Sequence, residues 1–167
     1  MSSVRSSAER RRRQNEIKDS LRELGNQLRM LNYNVSAKLA MKDIDLDCLD
    51  IIQRHGPISP SALSRRTGLH PATLTGILDR LERGDWVVRE RDPDDRRAVL
   101  IRAERKRGAE IFKLYAGMNA SMDDICDTYA DSELDVLRDF LRRCVDAGRG
   151  ATESLRRDHP GEGGHGA

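Results

Sequence analysis

The sequence predicts a mostly helical chain that carries one small β-hairpin. Three observations lead there. Apolar residues recur at helical spacing toward both ends, two short segments in the middle open with proline and close with glycine, and two β-branched runs flank the turn-forming Asp92-Pro93-Asp94-Asp95. With 167 residues, 37% of them hydrophobic and 4% aromatic, the chain suits one domain rather than several. Its 30 Lys plus Arg against 28 Asp plus Glu leave a formal charge of +2. That is too small to announce a polyanionic partner, so the placement of charge has to carry that question.

Residues 1–8 are Ser-rich and 149–167 run through glycines and Pro160, so both are expected as disordered tails around a single domain over 9–148. Ile17, Leu21, Leu24, Leu28, Leu31 and Val35 form one stripe of a first helix over about 9–38. Asp45 is expected to cap a second helix with Leu46, Leu49 and Ile52 inside, stopped by Gly56-Pro57. Ser59-Pro60 opens a third helix and Thr67-Gly68 closes it. Pro71 opens a fourth, in which Leu74, Ile77, Leu78 and Leu81 follow the i, i+3, i+4, i+7 rule up to Gly84. Trp86-Val87-Val88 and Ala98-Val99-Leu100-Ile101 are the strands of the hairpin. Beyond it, Ile111, Leu114, Tyr115, Met118, Met122, Ile125 and Tyr129 mark a fifth helix in spite of Gly108 and Gly117. Ser132 with Asp135 offers a capping box to a sixth, whose apolar face is Leu137, Phe140, Leu141, Cys144 and Val145. The flanking helices, about 9–38 and 104–148, own little core, and two copies exchanging them would bury far more apolar surface. A homodimer is therefore expected.

The middle segment, about 45–102, has the grammar of a winged helix-turn-helix. In that arrangement the second helix of the pair enters the major groove of double-stranded DNA while the hairpin reaches the neighbouring minor groove. With its leucines turned inward, the fourth helix presents Ala72, Gly76, Asp79, Arg80 and Arg83, with Thr73 and Thr75 on the flanks. Small and hydroxylated residues let a helix backbone approach base edges and phosphates. Ser59, Ser61, Ser64, Arg65 and Arg66 lie on or beside the preceding helix, where short side chains and unpaired amides bond phosphate, and His70 is placed either to cap the reading helix or to touch phosphate. Basic residues outnumber acidic ones by only two between positions 54 and 97. Yet Arg96 and Arg97 at the hairpin tip suit a narrow minor groove, with Asp95 beside them to orient a guanidinium. Asp79 on the reading face needs a cation, and the expectation is that Arg97 or Arg96 pairs with Asp79 or Asp95 and so couples hairpin to helix.

These residues resemble the MarR family of bacterial transcriptional regulators. The match runs through Gly56-Pro57 to Leu63, Thr67-Gly68-Leu69, Thr73-Leu74-Thr75, Leu78-Asp79-Arg80-Leu81-Glu82, Gly84, Trp86-Val87-Val88-Arg89 and Asp92-Pro93-Asp94-Asp95-Arg96-Arg97. The resemblance implies a homodimer on a palindromic operator, interleaved terminal helices, Arg97 in the minor groove and Asp95 holding it. It also implies release by a small anionic aromatic ligand between the dimerisation helices and the DNA-binding lobe, where Met30, Tyr33, Met41 and His55 are the residues placed to line a pocket. Where the family has Leu-Thr after the second strand, with the threonine capping the next helix, this chain has Ala103-Glu104.

Other classes find less support. His55, His70, His159 and His165 make no nucleophile and base arrangement, and neither a phosphate-binding glycine loop nor an HExxH motif occurs, so no enzyme, cofactor or metal is expected. Cys48, Cys126 and Cys144 are widely spread among apolar helical positions and read as reduced, buried thiols. With no apolar run long enough for a bilayer and no signal-peptide core after Arg10 to Arg13, a cytoplasmic protein without membrane contact is expected. Two alternatives stay open: a regulator switched by thiol oxidation, and a winged-helix protein-interaction module with weak, sequence-independent DNA affinity.

Overall fold

The computed structural model describes residues 2–93, 95 and 97–158. Two compact units divide the chain, Met1–Leu114 and Tyr115–Ala167. The elements in order are α1 (Ser2–Lys38), α2 (Asp43–His55), α3 (Pro60–Thr67), α4 (Pro71–Arg83), β1 (Val87–Arg91), β2 (Val99–Ala103), α5 (Arg105–Cys126) and α6 (Asp131–Asp158). This is the predicted class, mostly α with a hairpin wing.

In the first unit α1 begins at Ser2, so the stretch expected as a tail over 1–8 is helical from its second residue. A helix once nucleated adds residues at little cost, and the ion pairs Arg13–Glu9 at 2.9 Å and Arg12–Glu16 at 2.8 Å stabilise the turns from which these residues continue. At its other end, the amide of Met41 donates to the carbonyl of Ser36 at 2.9 Å, closing the helix through Ala40 at φ 50°. The Ser36 hydroxyl donates to the Asp43 carboxylate at the start of α2. That helix is capped at Lys42, three residues earlier than expected, and Asp45 is not its cap: it is buried, only 3% exposed.

Local grammar sets α3 and α4. The Ser59 hydroxyl accepts from the Ala62 amide at 3.2 Å, Pro60 follows at the first helical position, and Gly68 ends α3 in the left-handed region at φ 69°. The core of the unit packs Leu46, Leu49 and Ile52 of α2 and Leu63 of α3 against Leu74, Ile77, Leu78 and Leu81 of α4, with Trp86, Val87 and Ile101 at the base of the hairpin. β1 and β2 pair antiparallel from Val87 opposite Ala103 to Arg91 opposite Val99. Ile58 adds a single bridge at the edge of β2, exchanging backbone bonds with Ile101 at 3.0 and 2.8 Å, so the wing is tied to the connection between α2 and α3.

Although Ala103-Glu104 supplies no threonine cap, α5 starts directly after it, at Arg105. The Glu104 amide donates to the Trp86 carbonyl at 2.9 Å, the Gly108 amide to the Glu104 carbonyl at 3.0 Å, and the Arg107 guanidinium lies 3.8 Å from the centre of the Trp86 ring.

In the second unit, α6 opens two residues upstream of the expected box at Ser132 and Asp135. The Glu133 carboxylate accepts from the Ala130 amide at 2.9 Å, because a glutamate three residues past the cap reaches back to it. The helix continues to Asp158, so the stretch 149–158 is not a tail; the Thr152 hydroxyl bonds the Gly148 carbonyl at 2.9 Å and Arg149 pairs with Asp146 at 3.5 Å. The remainder of that expected tail, 159–167, lies outside the described residues. Among the described residues no helix is long and apolar enough to cross a membrane.

Candidate nucleic-acid interface

One side of α4 is core and the other is bare. Leu74, Ile77, Leu78 and Leu81 are at most 2% exposed, while Ala72, Thr73 and Thr75 are exposed and Gly76 is half-buried beside them. The Thr75 hydroxyl donates to the Pro71 carbonyl at 3.0 Å, which leaves its oxygen free to accept a further bond. His70 is the cap: its Nδ1 accepts from the Ala72 amide at 3.3 Å. In front of this helix, the Ser59 and Ser61 hydroxyls lie 3.1 Å apart, the Ser64 hydroxyl donates to the Leu69 carbonyl at 2.7 Å and so fixes the turn, and Arg65 and Arg66 are exposed.

The acid on the reading helix finds its cation on the hairpin, but on another residue than expected. Arg89 of β1 forks between Asp79 at 2.5 Å and Glu82 at 2.6 Å, where Arg97 or Arg96 was expected. The reason is topological: β1 leaves Trp86 directly after α4 and packs back along it, which brings Arg89 beside the last turns of the helix. At the wing tip the Asp95 carboxylate accepts the backbone amide of Arg97 at 3.0 Å, and the Ala98 amide donates to the Asp95 carbonyl at 2.8 Å. Asp95 thus shapes the turn that carries the exposed Arg97 and does not orient its guanidinium through a two-pronged bond. Arg96 lies outside the described residues. Further down the wing Arg102 grips one oxygen of Glu90 at 2.6 and 2.9 Å, and that bond holds the Glu90 carboxyl below the usual carboxylate range.

Arg80 is turned inward. Its Nε and Nη2 bond the two carboxylate oxygens of Asp45 at 2.8 and 2.6 Å, and this bond raises the guanidinium further above its ordinary value. Sequence reasoning missed both Arg89 and Asp45. The signal for Asp45 was present: positions 45, 49 and 52 fall on one stripe of α2, so a carboxylate there is inside and needs a partner. Beside it, burial first and the Asp45 and Asp47 carboxylates next push the fully buried Cys48 thiol up to about 11.

The expected pocket residues are not gathered in one chain. Met30 and Tyr33 stand exposed on α1, Met41 lies in the turn before α2, and His55 ends α2, a helix about 20 Å long at its rise per residue. Among the described residues no group of three or more His, Cys, Asp or Glu is arranged to hold a metal ion.

A helix-turn-helix with a bare reading face, a neutralised acid beside it and a wing tipped by arginine defines a winged-helix transcriptional regulator of the DNA-binding kind. Comparison with known proteins narrows this. The MarR family profile matches residues 45–99. Over 135 residues the chain is 30% identical to the uncharacterised HTH-type transcriptional regulator YcgE of Bacillus subtilis, covering 81% of this chain and 88% of that protein. It is similar to the crystal structure of MarR with a TM-score of 0.52 at 25% identity, covering 79% of this chain and 96% of that one. Streptococcus pneumoniae FabT, solved in complex with DNA, shares the fold with a TM-score of 0.58 at 22% identity, covering 82% and 98%. The chain belongs to the MarR family of transcriptional regulators.

Proposed function

We propose that the protein is a homodimeric repressor of a palindromic operator, with α4 of each copy in successive major grooves about 34 Å apart and Arg97 of each wing in the flanking minor groove. One observation carries the reading: Ala72, Thr73, Thr75 and Gly76 form a small, uncharged approach surface at the start of α4, and the nearest acid, Asp79, is already paired with Arg89. Ser59, Ser61, Arg65 and Arg66 supply phosphate contacts that set the register, as short hydroxyls and arginines do. FabT, seen with DNA, has the same architecture. A small dimer seated on an operator blocks polymerase without further contacts, hence a repressor. Release follows when a small anionic aromatic ligand changes the spacing of the two reading helices.

The test is a gel-shift titration against duplexes enriched from a random-sequence pool by the full chain. Arg97→Ala is expected to weaken binding at least about tenfold, or 1.4 kcal/mol, with the fold intact. Unchanged affinity refutes the role of the wing, and failure to enrich any sequence refutes the operator reading.

A further inference from the structure

The leucine row of α4 sets which face of the helix turns to the core, but apolar contact is non-directional and fixes the rotation about the helix axis only coarsely. A two-pronged ion pair does. Asp45 and Arg80 form one between α2 and α4, residues 35 apart in sequence, with the Asp45 side chain only 4% exposed and that of Arg80 35% exposed. On the other flank of the same leucine row, Arg89 ties Asp79 and Glu82 to the wing. The reading helix is thus pinned by directional bonds on both sides. Drawing Arg80 away to a phosphate would leave a carboxylate buried and unpaired, a larger penalty than one solvent-screened phosphate contact returns. The Asp45 end is itself fixed, since it lies in the first turn of α2, where Asp43 takes the Ser36 hydroxyl of α1.

We propose that Asp45 and Arg80 are a positioning pair that sets the rotation of α4 toward DNA, so that Asp45, inside the core, governs operator affinity while Arg80 makes no phosphate contact. The inference rests on the DNA-binding reading above for its consequence, though not for its geometry. It separates from a direct role for Arg80 because the two respond differently to salt.

The full chain and the variants Asp45→Asn, Arg80→Gln, Arg80→Lys and the double variant Asp45→Asn with Arg80→Gln are titrated with the enriched duplex between about 50 and 200 mM salt. Each single variant is expected to lose about tenfold or more in affinity, the double no more than the worse single, and all to keep the wild-type slope of log K against log salt. Arg80→Lys is the variant that guards against a folding defect. Lysine serves as well as arginine for a phosphate but cannot form the fork, so it too is expected to lose affinity at unchanged slope. A slope shallower by about 0.9 in Arg80→Gln, with affinity kept in Arg80→Lys and Asp45→Asn, overturns the proposal in favour of a phosphate contact. Hydrogen exchange on the free protein gives the DNA-independent arm: amides of 74–83 are expected to exchange several-fold faster in both singles, without further gain in the double. Unchanged protection overturns the positioning role. A wild-type chain that enriches no duplex overturns the operator reading alone, and the exchange result still decides this one.

Discussion

At the scale of single residues, burial decides chemistry. Cys48 is fully buried with its thiol at about 11, so at pH 8 only about a thousandth of it is thiolate. Alkylation of the native protein with N-ethylmaleimide at pH 8, read by peptide mass mapping, is expected to leave Cys48 unmodified and to label it fully in guanidinium. Native labelling within minutes would show that the segment opens. The same shift has a thermodynamic sign. The unfolded thiol ionises near 9.0 and the folded one near 11, so its contribution to stability is complete below pH 9 and is lost as pH rises toward 11. The sequence made Cys48 legible as a buried thiol because its helical neighbours are apolar, whereas Asp45 three residues earlier was mistaken for a cap. An aspartate before a hydrophobic run has the local look of a cap, and nothing local points to a partner on another helix. Asp79 shows the same limit: its need for a cation was legible, but the choice of Arg89 depends on how β1 folds back.

Among the elements, those written in short-range chemistry were the readable ones. The starts of α3 and α4 lie at Ser59-Pro60 and His70-Pro71 because a cap and a proline act within one turn. The start of α1 and the end of α6 were not readable, since how far a helix propagates past its apolar stripe depends on many small side-chain pairs. Within α4, Gly76 is the weak point of the helix. A methyl group there meets only the tip of Arg80 at 3.7 Å, so Gly76→Ala is expected to raise stability by about 1 kcal/mol in thermal or denaturant unfolding. The same methyl stands on the approach surface, so operator affinity is expected to fall while stability rises. A variant that gains both would place the DNA elsewhere than on this face of α4.

For the whole molecule, the flanking helices leave apolar rows in the open. Ile17, Leu24 and Leu28 of α1 are 46%, 41% and 38% exposed, and Leu141, Val145 and Leu155 of α6 are 46%, 58% and 65% exposed. A second copy is the occupant that a symmetric regulator calls for. Leu141→Asp is expected to convert dimer to monomer in sedimentation velocity and, on the two-half-site operator proposed above, to weaken binding by about a hundredfold or more. A variant that stays dimeric with full affinity would move the self-association surface off this part of α6. The partner requirement was legible in the sequence as stripes with too little core to face, while the identity of the covering surface was not, because no periodicity encodes a second chain. Trp86, the single indole of the protein, sits where the end of α4, the hairpin and the stacked Arg107 meet. The molecule therefore carries its own optical gauge: whatever tilts the wing against α5 changes what surrounds that ring, and the colour and brightness of its emission would follow the movement without any dye attached.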